Sequence, residues 1–279
     1  MKKAGVFVIA ILFIASFAYA DYIKEMKMNL SANGIRDFAV DCGAGSLEIS
    51  GVDGLDEIRV MAEIVIEDMD DDEAEEFMDK YMVLDLDKRG SGAELRSFFE
   101  TSSRSWFFFG GGNYWINLTI KVPMGLKLDI DDGSGNMYVE NMANDVKIDD
   151  GSGSMTILDI TGNVYIEDGS GEIEAENIRG ELEIDDGSGE IDLEQIYGEL
   201  TIDDGSGEIN AKGVEGDVDI DDGSGDMVLR NITGSVVVDD GSDDIRINGV
   251  TEDVRIISSG SGGTRITNVD GRVYGDVDI

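Results

Sequence analysis

There is no histidine in this 279-residue chain, and its only cysteine is Cys42. The missing imidazole removes His-based general acid–base catalysis and the usual nitrogen ligand for zinc, copper or nickel. A single cysteine excludes an intrachain disulfide, so packing must hold the fold together. Positive charge is scarce too: 21 Lys and Arg stand against 61 Asp and Glu, a formal net charge of −40. A surface of that sign repels nucleic acid and anionic lipid and attracts cations. Neither a nucleic-acid partner nor stable membrane insertion is expected. Beyond the first twenty residues no run is long and apolar enough to span a bilayer. Acidity of this degree can mean disorder, but 41% hydrophobic residues in regular alternation argue for a packed core.

The chain opens MKKAGVFVIAILFIASFAYA. Two lysines, a short apolar run and Ala18-Tyr19-Ala20 have the layout of a Sec signal peptide over residues 1–20, with no cysteine to mark a lipoprotein. The expected location is therefore periplasmic, cell-surface or secreted.

The dominant feature is a repeat. Its motif, DDGSG, places a first glycine at Gly133, Gly151, Gly169, Gly187, Gly205, Gly223 and Gly241, each step eighteen residues. Stacking the copies aligns apolar columns: Met155, Ile173, Ile191, Ile209; then Ile157, Ala175, Leu193, Ala211; then Ile160, Ile178, Ile196, Val214; and Ile148, Ile166, Ile184, Ile202. Apolar residues two apart share one face of a strand. Each turn thus holds two short strands, near 137–139 and 146–148 in the first copy, with the lone apolar residue near 142 on a third corner or strand. No helical period fits. One such unit cannot bury its apolar face, whereas stacked copies can. The expected fold is all-β: a single-stranded parallel β-helix, or β-solenoid, with 18-residue turns. The right-handed form is expected, because the six-residue period of the left-handed hexapeptide helix is absent.

The two aspartates of the motif read differently. The second (Asp132, Asp150, Asp168, Asp186, Asp204, Asp222, Asp240) follows a strand, where its carboxylate can accept from the N–H two residues on, an Asx-turn. The glycines allow the tight corner and the serine is small enough to stack inside it. A phosphate loop of the Walker type is excluded, since no lysine and no helix follow. The first acid (Asp131, Asp149, Glu167, Asp185, Asp203, Asp221, Asp239) points outward by alternation. With rungs about 4.8 Å apart, neighbouring charges repel by about 0.9 kcal/mol in water and roughly four times that at an effective dielectric near 20. Cations are needed there, either as a loose atmosphere or as bound Ca²⁺, whose oxygen distances suit half a rung spacing of about 2.4 Å better than those of Mg²⁺. Both aspartate columns are candidate cation ladders. No cofactor is required.

Residues 40–60 read as a worn copy of the repeat, with Gly43-Ala44-Gly45 replacing Gly-Ser-Gly. The resulting layout is 21–60 for N-terminal strands and a degenerate first turn, 61–122 for a small α+β capping insertion, and 123–279 for the regular solenoid. DDDEAEEFMDKYM in the insertion reads as a short helix with an acidic N-terminus. SRSWFFFGGGNYW carries Trp106, Phe107, Phe108, Phe109, Tyr114 and Trp115 around three glycines. This is either an exposed loop for a protein, glycan or membrane surface or a hairpin plugging the solenoid end. At the far end Ile257 is one residue extra and Ser258-Ser259 replaces the acid pair. The chain closes on strand-like DVDI, an open edge through which end-to-end self-association could run.

INLTIKVPMGLKLDIDDGSGNMYVEN, a strand ending in KVP, a Gly-Leu link, a strand, SG and a second strand, resembles a family of exported bacterial β-strand-repeat proteins labelled "putative adhesins", a domain of unknown function. The worn first repeat and helical insertion match as well, so the resemblance covers nearly the whole chain beyond residue 20. It implies a β-solenoid in the cell envelope and carries over no catalytic residue. Three functional classes remain. One is a noncatalytic envelope or surface solenoid that binds or scaffolds a protein or glycan. Another is a polysaccharide-active β-helix enzyme using carboxylates, though no loop insertion and no single acid pair stands out. The last is a solenoid whose acidity is only saline adaptation.

Overall fold

A computed structural model describes residues 9–11, 21–100 and 113–276. The chain divides into two compact units, Met1–Met137 and Tyr138–Ile279.

The first unit holds β1 (Ile9–Ile11), β2 (Tyr22–Ser31), β3 (Asp37–Ala44), β4 (Leu47–Val52), β5 (Glu57–Ile66), α1 (Asp71–Tyr81), β6 (Met82–Arg89), β7 (Gly92–Phe99), β8 (Tyr114–Pro123) and β9 (Lys127–Ser134). One sheet runs β1-β2-β5-β8-β4, antiparallel until β8 meets β4 in parallel. The other runs β6-β7-β3-β9, where β3 is parallel to both neighbours. Within residues 40–60 Asp41 lies beside Asp131, Cys42 beside Asp132 and Ala44 beside Ser134. The insertion thus extends both sheets: β7 and β8 pair in parallel with β3 and β4, and β6 and β5 add to them antiparallel. The expected helix forms as α1. Asp70 caps it by accepting from the Glu73 N–H at 2.9 Å, and Asp71, Asp72 and Glu73 sit in the first turn, where the helix dipole favours negative charge. Its buried face is Ala74, Phe77 and Met78.

The second unit is the regular solenoid. Its strands are β10 (Met137–Glu140) and β11 (Val146–Asp150), β12 (Met155–Ile160) and β13 (Val164–Asp168), β14 (Ile173–Ile178) and β15 (Leu182–Asp186), β16 (Ile191–Ile196) and β17 (Leu200–Asp204). They continue as β18 (Ile209–Val214) and β19 (Val218–Asp222), β20 (Met227–Ile232) and β21 (Val236–Asp240), β22 (Ile245–Val250) and β23 (Val254–Ser259), β24 (Thr264–Val269) and β25 (Val273–Gly275). Even-numbered strands stack into one parallel sheet and odd-numbered strands into a second. The registers advance by eighteen residues without slip as far as β21, as in Ile184 beside Ile202 and Ile202 beside Ile220. All the repeat columns named above are buried. At β23 the register shifts by one, so that Asp239 faces Ser258, and Ile257 is pushed out to 46% exposure. The extra residue of the sequence is a β-bulge.

Two local devices make the turn. At the end of each even strand from β10 onward one residue with positive φ precedes the third apolar column: Asn141, Asp159, Asn177, Gln195, Gly213, Asn231, Gly249 and Asn268. This left-handed step inserts two outward residues before the next inward one. From Ile160 onward the lone apolar column therefore ends the first strand of each turn and forms no third strand; Met142 lies just past the end of β10. At the corner, neighbouring backbones nearly touch. A Cβ built on Gly207 would meet the Gly189 carbonyl oxygen at 1.5 Å, so glycine fits this close approach best; the column is glycine through Gly225 and then holds Asp243 at φ 86°.

Candidate functional site

Strand alternation puts the two aspartates of each motif on opposite faces. In β15, Leu182, Ile184 and Asp186 point inward while Glu183 and Asp185 point out, and β17 and β19 repeat this. The outward acids form an unbroken register: Asp149 beside Glu167, Glu167 beside Asp185, Asp185 beside Asp203, Asp203 beside Asp221, and Asp221 beside Asp239. Four of the six are exposed and Glu167 and Asp239 are half-buried. The ladder stops where Ser258 follows Asp239. In the first unit Asp131 is likewise exposed, beside Asp41.

The inward aspartates are buried. Asp150, Asp168, Asp186, Asp204, Asp222 and Asp240 are each at most 5% exposed. One oxygen of each does what the Asx-turn requires. Asp186 Oδ1 accepts from the Ser188 N–H at 3.0 Å, Asp204 from Ser206 at 2.9 Å and Asp222 from Ser224 at 2.9 Å; Asp150, Asp168 and Asp240 do the same with Ser152, Ser170 and Ser242. The second oxygen of Asp168, Asp186, Asp204, Asp222 and Asp240 meets no donor. Desolvation of a half-satisfied carboxylate favours its protonated form. Burial pushes the Asp222 carboxyl up to about 7, with the Asp204 and Asp240 charges adding to the rise and the Ser224 N–H opposing it. Burial pushes Asp186 up to about 6, against the Ser188 N–H, and Asp168, Asp204 and Asp240 are raised for the same first cause. In the first unit Asp132 is raised to about 6 by burial, against the Cys42 thiol and the backbone N–H groups. The corner interior therefore belongs to the aspartate. The serine expected there is half-exposed in most turns and exposed at Ser170.

The two candidate ladders are thus separate by construction: one is a wet, charged stripe and the other a dry stack of carboxyl groups. Among the described residues no group of three or more Asp, Glu, Cys or His side chains is disposed to hold a metal ion. The chemistry on offer is multivalent electrostatic attraction along the outer stripe and proton uptake along the inner one.

The family model of the Toastrack domain, DUF4097, matches residues 57–230. The chain belongs to the Toastrack family. No curated protein matches it. Three solved structures are similar over most of this Toastrack chain. A "putative cell adhesion protein" from Clostridium sporogenes is 11% identical, covering 90% of this chain and 98% of its own at a TM-score of 0.26. A "putative lipid binding protein" from Parabacteroides distasonis is 15% identical, with 91% and 96% covered and a TM-score of 0.39. A "putative adhesin" from Bacteroides fragilis is 12% identical, with 90% and 96% covered and a TM-score of 0.34. None of these likenesses transfers a role to this Toastrack protein.

Of the aromatic segment, Trp106, Phe107, Phe108 and Phe109 lie outside the described residues. Tyr114 and Trp115 open β8 and are half-buried. Tyr114 stacks in a cluster under α1, its ring centroid 5.0 Å from Phe77 and 4.9 Å from Phe99, while Phe77 and Phe99 stand 5.4 Å apart. Such contacts favour offset and edge-on rings and anchor the helix to the sheet. Trp115 pairs with Val65 across β5.

Proposed function

We propose that this Toastrack protein is a noncatalytic, exported β-solenoid that binds or scaffolds at the cell envelope or cell surface, and that it presents an acidic face to cationic partners. The observation that carries the reading is the in-register column of outward acids from Asp149 to Asp239, which a rigid parallel sheet holds at one charge per rung. A one-dimensional array of this kind favours partners with many positive charges in a row, such as a basic protein segment or divalent cations condensed along it. The signal-peptide layout of residues 1–20 supports export. Ca²⁺ enters this reading as a counterion drawn to the stripe.

The test is calorimetric titration of the purified protein with CaCl₂, MgCl₂ and a basic polypeptide at matched ionic strength. Expected are polypeptide binding that weakens steeply with NaCl, similar weak responses to the two divalent ions, and a loss of binding on combined Asp185→Asn, Asp203→Asn and Asp221→Asn substitution. A saturable Ca²⁺ isotherm that survives high NaCl and vanishes in the same variant would replace the diffuse stripe with discrete calcium sites. Unchanged polypeptide binding in the variant would remove the stripe as the binding surface.

A further inference from the structure

The outer face of the even-strand sheet carries a charge pattern unlike the rest of this acidic molecule. Its third and fourth rungs bear Glu174, Glu176, Asp192 and Glu194. Its fifth to eighth rungs bear Lys212, Arg230, Arg246 and Arg265, one cation per rung. Strand registers place these in two outward columns. One runs Glu174, Asp192, Asn210, Val228, Arg246, Arg265 and the other Glu176, Glu194, Lys212, Arg230, Asn248, Thr267. Lys212 is paired with Glu194 at 2.6 Å, and Arg246 with Asp226 and Asp244. Arg230 and Arg265 are exposed.

We propose that this face docks a second copy of the same chain, antiparallel, about a two-fold axis that lies along the strand direction between the fourth and fifth rungs. Such an axis keeps each column opposite itself and exchanges rung 3 with rung 6 and rung 4 with rung 5. Arg230 then faces the partner's Glu176. Each Lys212–Glu194 pair faces its own image with charges reversed, giving a four-charge network. Rung 8 falls opposite rung 1, so Arg265 faces Tyr138, whose hydroxyl bonds Glu140 at 3.2 Å; a guanidinium over a tyrosine ring is attractive. An isologous interface must be self-complementary; the second column meets this on rungs 3 to 6 with opposite charges, while the first sets Glu174 against Val228 and Asp192 against Asn210, so the second column carries the pairing. Eight rungs at about 4.8 Å and strands of about six residues at about 3.3 Å give roughly 600–700 Å² per copy. That is near the lower bound for a specific dimer. Lateral pairing leaves both outward acid stripes free, on opposite sides of the assembly. The chain's net charge of −40 opposes pairing, but at physiological salt the Debye length of about 8 Å screens all but the facing groups.

The experiment is sedimentation analysis of the full chain at about 0.15 M NaCl, from micromolar to about 100 μM. A concentration-dependent dimer is expected. Arg230→Glu and Glu176→Arg should each weaken it at least tenfold, and the two together in one chain should restore it. Glu176→Arg brings the net charge nearer zero, which would strengthen nonspecific association, so a loss there points to the facing pair. Both positions are solvent-facing, and unchanged thermal melts will show that the variants fold. A monomer throughout the range, a dimer indifferent to both single substitutions, or single losses that the double change fails to rescue would each overturn the proposal.

Discussion

The Cys42 thiol donates a hydrogen bond to Asp132 Oδ1 at 3.3 Å, and the two residues are register partners in adjacent strands. Cys42 therefore occupies, in the worn repeat, the place that an inward aspartate fills in the regular turns. Burial and the neighbouring Asp132 charge push the thiol well above its ordinary range, so it remains a protonated donor. Cys42→Ala removes the donor from a buried carboxylate and should lower stability by about 1–3 kcal/mol. Cys42→Asp would complete the column and put a second buried carboxyl against Asp132. Its loss at pH 7.5 should exceed that of Cys42→Ala and shrink at pH 5, where the pair can hold protons. Thermal melts of both variants at the two pH values check this; a Cys42→Asp protein insensitive to pH would refute it.

The inward column makes stability depend on pH in the direction opposite to ordinary acid denaturation. Asp222 binds its proton more tightly folded, at about 7, than at its ordinary value of 3.8. Its contribution is complete below about pH 4 and is lost as pH rises through 7. At about 1.4 kcal/mol per unit, this one carboxyl changes stability by on the order of 4 kcal/mol across that window. Asp186, raised to about 6, acts in the same sense. The expected result is a higher melting temperature at pH 5 than at pH 7.5. Asp222→Asn keeps the Oδ1 acceptor for the Ser224 N–H and carries no charge, so it should stabilise at pH 7.5 and change little at pH 5. Stability that climbs from pH 5 to 7.5 in the parent protein would sink the idea.

Gln195 is the one long side chain in the column of positive-φ residues, at φ 61°. The same position holds Asn, Asp or Gly in every other turn named above. An L-residue there is strained by roughly 1–2 kcal/mol unless it is glycine or a short polar side chain. Gln195→Gly should therefore raise stability by about 1 kcal/mol even after the extra unfolded-state entropy of glycine, and Gln195→Val should lower it by at least as much. Urea denaturation midpoints of the two variants decide it, and a midpoint for Gln195→Gly below that of the parent counts against the account.

How far the sequence could be read depends on which residues carried a repeating signal that was given its physical meaning. The eighteen-residue step, the buried isoleucine columns and the bulge at Ile257 follow from spacing alone, because a stacked parallel sheet tolerates no slip without turning its inward set outward. The positive-φ column had a signal as plain, since Asn141, Asn177, Gly213, Asn231 and Gly249 are residue types that favour that backbone region. The apolar residue just after it masks that signal, because a lone apolar residue three on from the last inward one fits a third corner or strand equally well. Burial of Asp186 was also available in principle: it lies two residues after Ile184 and four after Leu182, on the inward side of the same strand. The usual preference of carboxylates for solvent outweighs that parity in a reading by residue type. The division of the even-strand face into acidic and basic rungs needs the registers of all eight strands, so it becomes visible only when columns are read along the solenoid and not within one turn.

Asp185 and Asp186 are neighbours in sequence and should respond to opposite treatments. Asp185 lies in solvent beside Asp203 and Glu167, so its repulsions are screened by salt. Asp186 is dry, and mobile ions do not reach it. Asp185→Asn should raise the melting temperature at about 10 mM NaCl by roughly one or two degrees, and the gain should fade by about 0.5 M. Asp186→Asn should give a gain at pH 7.5 that salt leaves nearly unchanged and that disappears at pH 5, where the parent carboxyl is itself protonated. Calcium provides the third comparison. If the outer stripe attracts Ca²⁺ only as an atmosphere, CaCl₂ and NaCl of equal ionic strength should shrink the Asp185→Asn gain with calcium the more effective, and no condition should make Asp185→Asn less stable than the parent. A melting temperature that falls below the parent's in millimolar CaCl₂ alone would mean that Asp185 is a specific ligand. Equal responses of the two variants to salt and to pH would show that the inward and outward columns are not physically distinct.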